Sequence, residues 1–166
     1  MKATEYINKR KDLDNELSKY WDYIQKTNVA PKNFEHKYDL KALYGLIQNL
    51  AEDRAMAKLT LAYINLGFTK KSDINKDVNQ YTVFLLSEMT EIRTKLSKIK
   101  YINPTLKAKK GKNKLVKKEV LTKSWIDART REIDLRIAEL RSKIDEFNKD
   151  TDVSEDTVHM SLAASL

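Results

Sequence analysis

Cysteine is absent from this sequence, and only three glycines and two prolines occur among its 166 residues. Without cysteine the chain forms no disulfides and has no thiolate nucleophile, which is compatible with a reducing compartment. So few turn residues argue against a β-sandwich or barrel and favour long helices. No apolar run approaches the roughly 20 residues of a membrane-spanning helix, and the first residues lack the apolar segment of a secretory signal. We therefore expect a cytoplasmic protein with no membrane partner.

Catalytic signatures are also missing. The two histidines, His36 and His159, are far apart, and neither belongs to a metal-binding pair at helical spacing. Isolated glycines make no phosphate-binding loop, and no Gly-x-Ser-x-Gly motif is present. We predict that the protein is not an enzyme. No catalytic residue, cofactor, metal or small-molecule substrate is predicted.

Apolar residues recur at alternating steps of three and four, the heptad pattern of helices that pack along one another. The pattern predicts helices at about residues 4–27, 40–66, 79–100 and 119–148, in one domain spanning 1–150. We expect an all-α fold, either a helical bundle or two coiled-coil hairpins. The connections exceed the roughly two to eight residues usual in compact bundles, so both arrangements stay open. Asp39 is the predicted N-cap of the second helix, and Gly67 its left-handed C-terminal residue.

Three polar residues interrupt the heptad stripes, namely Arg10, Arg54 and Thr130. An arginine at such a position can lay its stem along the seam and keep its guanidinium in water, which is the interpretation we favour. If Arg54 is instead buried, it should pair with an acid, because an unpaired buried charge is destabilising. The acids considered as partners are Glu91, Asp127 and Asp134.

One stretch is strongly basic: nine lysines and no acid lie between residues 98 and 118. We interpret 101–118 as a basic loop or a short β-hairpin. Its lysines, with Tyr101 for stacking, could contact nucleic acid, an acidic partner, or the acidic tail predicted at 151–166, or serve as a solubilising surface. The candidate contact residues are Lys98, Lys100, Tyr101, Lys107, Lys109, Lys110, Lys112, Lys114, Lys117 and Lys118.

Three segments resemble the septicolysin-like family of small helical bacterial and phage proteins. The run 128–140 (ARTREIDLRIAEL) is similar to the family's last helix, 99–102 (IKYI) to the segment before it, and 9–13 (KRKDL) to its opening helix. The resemblance implies an oligomeric helical-hairpin protein without an established activity.

Our leading hypothesis is an interaction or structural protein that self-associates or docks onto a partner through its helical seams. It would be a homo-oligomer or part of a larger assembly, phage-encoded or a virion component, in the host cytoplasm or the virion. The alternatives are a nucleic-acid-binding accessory protein that uses residues 98–118 and an inhibitor that docks onto a host enzyme. The candidate seam is formed by Ile126, Ile133, Ile137, Leu140, Ile144 and Phe147.

Overall fold

The computed structural model describes residues 2–105 and 116–151, and this part of the chain is dominated by four long α-helices. The all-α prediction is confirmed. In chain order the elements are α1 (Ala3–Thr27), β1 (Val29–Pro31), α2 (Leu40–Asn65), a 3-10 turn (Lys71–Asp73), α3 (Asn79–Leu96), β2 (Lys117–Glu119) and α4 (Lys123–Asp150).

Local residues define where α2 and α4 begin and where α2 ends. The Asp39 carboxylate accepts hydrogen bonds from the backbone N–H groups of Lys41 and Ala42 at 2.9 and 3.0 Å, so the predicted N-cap is confirmed. The Thr122 hydroxyl caps α4 by accepting from the backbone N–H of Trp125 at 3.2 Å. Gly67 has φ 89°, the left-handed conformation predicted for it.

The helices on either side of the basic stretch are shorter than predicted. Helix α3 ends at Leu96 rather than near residue 100, and α4 begins at Lys123 rather than near 119. Tertiary contacts explain why both helices are shorter. Ile99 is buried, and the backbone carbonyls of Lys100 and Leu121 accept bonds from the Asn28 side chain, which draws both segments out of helical conformation.

The basic loop or short β-hairpin expected at 101–118 lies mostly outside the described residues and stays a prediction. At the end of this stretch, strand β2 pairs antiparallel with β1, directly after α1, with Ala30 opposite Lys118. This strand pair adjoins the core through the buried Ala30.

All four helices contribute to one hydrophobic core, so they form a bundle rather than two splayed hairpins. Helix α1 packs against α2, α2 against α3, and α3 against α4. Three aromatic rings cross the bundle near the sheet: Tyr44 makes edge contacts with Trp21 at 6.2 Å and with Trp125 at 5.2 Å between ring centroids. No helix in the described part of the chain is long and apolar enough to cross a membrane.

Candidate functional site

The buried side chain of Asn28 joins the two ends of the basic stretch. Its Nδ2 donates hydrogen bonds to the carbonyl oxygens of Lys100 and Leu121 at 2.8 and 2.9 Å, and its Oδ1 accepts from the Leu121 backbone N–H at 2.6 Å. Its own carbonyl accepts from the Val120 N–H at 3.3 Å. We call this set of bonds the Asn28 clasp. It holds the chain before and after 101–120 at one end of the bundle.

Two further contacts fix the same region. The Glu119 carboxylate accepts a hydrogen bond from the Ile102 backbone N–H at 2.5 Å. The ammonium of Lys118 donates to the carbonyl oxygen of Phe34, in the loop after β1. The Lys118 ammonium is therefore bound by the protein's own backbone.

A groove beside the strand pair brings several of the predicted contact residues together. Lys98, Lys100, Tyr101 and Lys117 line it together with side chains from the last turns of α1. We call this the lysine groove. Its α1 and β1 side is formed by Asp22, Gln25, Lys26 and Val29.

The lysine groove carries uncompensated positive charge. Lys26 forms an ion pair with Asp22 at 2.8 Å. By contrast, Lys98, Lys100 and Lys117 are exposed and have no ion-pair partner among residues 2–105 and 116–151. The groove therefore presents three ammonium groups to solvent. A group with negative charge would complement the positive charge of the groove.

Tyr101 lies in the groove with 43% of its surface exposed. The ammonium of Lys123 sits 6.0 Å from its ring centroid, and that ammonium is bonded to the Asp127 carboxylate at 2.5 Å. The hydrogen bond and the charge of Asp127 raise the pKa of Lys123, so the cation beside the ring is maintained. An exposed aromatic ring among lysines can stack on a planar group such as a base.

The remaining predicted contact residues lie outside the described residues; they are Lys107, Lys109, Lys110, Lys112 and Lys114. The sequence did not indicate the contribution of α1, namely Asp22, Gln25 and Lys26. These residues join the groove because β1 pairs with β2, a contact that no local pattern indicates.

The candidate oligomer seam is largely a part of the protein's own core, which corrects that expectation. Four of its residues are buried in the bundle, Ile144 is half-buried, and Phe147 is 46% exposed. A second copy could reach only this last part of the stripe. The four buried residues are Ile126, Ile133, Ile137 and Leu140.

Arg54 is buried, contrary to the interpretation we favoured from the sequence. Its Nε lies 3.0 Å from both carboxylate oxygens of Glu88, and its Nη1 lies 2.9 Å from Asp14. Glu91, one of the expected partners, also binds it, and Lys58 approaches Glu88 at 2.9 Å.

Burial lowers the pKa of Arg54, but the hydrogen bonds and charges of Glu88, Asp14 and Glu91 outweigh this effect and raise it. The guanidinium is therefore permanently charged, and it ties α1, α2 and α3 together. Of the other interrupted positions, Arg10 is exposed and Thr130 is half-buried.

Within the described residues, no three His, Asp or Glu side chains are placed to hold a metal ion. The Nε2 of His36 lies 2.8 Å from the carbonyl oxygen of Thr27, and its ring packs edge-on against Phe34 at 4.9 Å. This histidine joins the loop after β1 to the end of α1.

No protein-family model, curated protein or solved structure matches this chain at a significant level. The resemblance to the septicolysin-like family stays a prediction.

Proposed function

We propose that this protein is a non-enzymatic helical binding protein that docks an acidic surface of a partner protein in the lysine groove. The observation that supports this proposal most directly is the grouping of Lys98, Lys100 and Lys117 without ion-pair partners in the described part of the chain. Complementary charge across an interface increases the rate of association and selects among partners.

The lysine groove is also preorganised. The Asn28 clasp fixes Lys100, and β-pairing fixes Lys117, so the backbone of both residues is ordered before any partner arrives. A partner therefore does not have to order these segments, which lowers the entropic penalty of binding.

The test compares two triple variants with equal changes in charge. Lys98, Lys100 and Lys117 are replaced by Gln in one variant. Lys9, Lys11 and Lys143, which are exposed on α1 and α4, are replaced by Gln in the control.

Fluorescence anisotropy measures the affinity for an oligoglutamate peptide at low and high salt. At roughly 0.5 kcal/mol for each exposed charge pair, the groove variant should lose about tenfold in affinity. The control should stay within about twofold of the original protein. Equal losses in both variants would refute the groove as a site.

A second candidate function, binding of single-stranded nucleic acid, is favoured by one observation, the exposed ring of Tyr101 in the groove. Stacking of a base on an aromatic ring contributes about 1–3 kcal/mol. Tyr101→Leu should then weaken binding to a single-stranded oligonucleotide about tenfold and leave oligoglutamate binding unchanged. If the oligonucleotide binds more tightly than the peptide and depends on Tyr101, this second function replaces the first.

A further inference from the structure

A second concave site lies at the opposite end of the bundle from the sheet. It is bordered by the first turns of α1, the last turns of α2 and the connection between α2 and α3, it is open to solvent on one side, and its volume is about 520 Å³. Cavities of roughly 300–1,000 Å³ are typical of sites for small molecules. We call it the aromatic cavity, and it is independent of the lysine groove.

The walls of this cavity are largely apolar. Tyr6 from α1 and Tyr63 and Ile64 from α2 line it, and the ring centroid of Phe68 lies 5.3 Å from that of Tyr63. Phe68 remains 45% exposed, although it is a large apolar side chain next to other apolar groups. A ligand with an apolar body would bury the exposed part of this surface.

The polar side chains that line the cavity are lysines, tyrosines and two threonines, Thr60 and Thr69. Lys70 and Lys71 line it, and neither ammonium has an ion-pair partner among residues 2–105 and 116–151. The phenolic hydroxyls of Tyr6 and Tyr63 likewise form no hydrogen bond with this part of the chain. No Asp or Glu is present among the described residues that line the cavity. Unpaired cations and hydroxyl donors without a nearby acid favour an anionic ligand group.

We propose that the aromatic cavity binds a medium-chain monocarboxylate, an amphiphile of the fatty-acid type. The carboxylate pairs with Lys70 and Lys71 and accepts from the tyrosine hydroxyls. The alkyl chain lies on Phe68, Tyr63 and Ile64. The apolar wall recognises the chain, and the cations distinguish an acid from an alcohol or an amine.

The test uses decanoate, decanol and decylamine as probes, each kept below its aggregation concentration, with affinity measured by calorimetry on the full chain. Decanoate should bind in a one-to-one complex and more tightly than either other probe. Lys70→Gln/Lys71→Gln should weaken decanoate binding by at least about tenfold and leave decanol binding nearly unchanged. Lys9→Gln/Lys11→Gln is the matched control, because both lysines are exposed on α1 and neither lines the cavity.

A second pair of variants tests the apolar wall. Phe68→Ala should weaken decanoate and decanol alike, whereas Leu66→Ala, at an exposed residue that does not line the cavity, should change neither. Circular dichroism confirms that each variant is folded.

Three outcomes would overturn the proposal. They are the absence of saturable decanoate binding, equal binding of the acid and the amine, and binding to phosphatidylglycerol vesicles without binding of free decanoate. None of them depends on the state of the lysine groove.

Discussion

The side chain of Asn28 bonds to both backbone polar groups of Leu121, donating to its carbonyl at 2.9 Å and accepting from its N–H at 2.6 Å. One amide thus completes, across 93 positions of sequence, a pair of bonds like those between two strands. The same amide also binds the carbonyl of Lys100. It therefore connects the end of α1 to the segment after α3 and to the segment before α4, next to the sheet.

Asn28→Ala should therefore be strongly destabilising. The substitution leaves the carbonyl and N–H of Leu121 and the carbonyl of Lys100 without this partner, and buried polar groups that lose their partner cost about 1–3 kcal/mol each. We expect the free energy of unfolding in urea to fall by about 3 kcal/mol or more. Gln25→Ala is the control, since it removes a single longer bond to the Lys95 carbonyl at 3.3 Å. It should lower the free energy of unfolding by less than about 1 kcal/mol. Comparable losses in the two variants would contradict the special role of the clasp.

Arg54→Met should destabilise the bundle for a different reason. It leaves the Glu88 carboxylate, whose side chain is 1% exposed, with Lys58 as its remaining cation. Removal of one partner of a buried ion pair typically lowers the free energy of unfolding by about 3–5 kcal/mol. The double variant Arg54→Met/Glu88→Leu should regain much of this loss, because the carboxylate that is 1% exposed is removed together with its partner. Lys58, Asp14 and Glu91 also lose a partner, but their side chains are more exposed and can be hydrated.

The control for this second prediction is Arg93→Met. Arg93 pairs with Asp134 at 2.8 Å on the surface, where the two side chains are 40% and 52% exposed. Exposed pairs contribute about 0–1 kcal/mol, so chemical denaturation should show little change. If the double variant is no more stable than Arg54→Met alone, the carboxylate of Glu88 is not the source of the loss.

The sequence predicts the helices well because their information is local and periodic. The stripe of α4 correctly selects Ile133 and Ile137 as apolar contact positions, and Asp39 is recognisable as a cap from its place before an apolar run. Whether such a stripe faces the protein's own core or a second copy depends on the other helices, which explains why the same residues were assigned to an oligomer seam.

Nonlocal contacts are the part that the sequence left open. In the sequence Asn28 is only a residue at the end of a predicted helix, and no periodic pattern indicates its contact with Leu121. Glu91 was named as a partner for Arg54, but Glu88, which makes more contacts with it, was not. Glu88 directly precedes Met89 of the α3 stripe, and its direction into the core is determined by the packing of α2 on α3. The lysine groove was predicted in part, since its lysines cluster in sequence.

Tyr44→Phe should leave the protein as stable as before or slightly more stable at neutral pH. The hydroxyl of Tyr44 is buried and has no hydrogen-bond partner in the described part of the chain. Its removal therefore relieves a desolvation penalty without breaking a bond. Tyr23→Phe is the contrasting variant, because the Tyr23 hydroxyl accepts from the Lys37 backbone N–H at 2.6 Å. It should lower the free energy of unfolding by about 1 kcal/mol.

The same tyrosine gives the protein a pH dependence at alkaline pH. Burial, reinforced by the charge of Glu132, raises the pKa of Tyr44 from 10.0 to about 12. In the folded state the Tyr44 hydroxyl thus keeps its proton at pH values where the same hydroxyl in the unfolded chain loses it. This contribution to stability is complete below pH 10.0 and is lost as the pH rises to about 12. Urea titrations across this interval should show the free energy of unfolding of the original protein falling by up to about 2 kcal/mol more than that of Tyr44→Phe. Parallel curves for the two proteins would contradict the raised pKa.

Two aspartate substitutions on α4 separate its core positions from its surface. Ile137 is 9% exposed and packs in the bundle, so Ile137→Asp places a charge in an apolar core without a designed partner. We expect the free energy of unfolding to fall by about 3 kcal/mol or more. Phe147 is 46% exposed near the end of α4, so Phe147→Asp should change the free energy of unfolding by less than about 1 kcal/mol.

Thermal unfolding measures both effects, and light scattering on the same samples reports the mass of the particle. If Phe147→Asp halves that mass while the fold is retained, a second copy does bind along the end of α4. A loss of folding in Phe147→Asp as large as that in Ile137→Asp would show that Phe147 also belongs to the core.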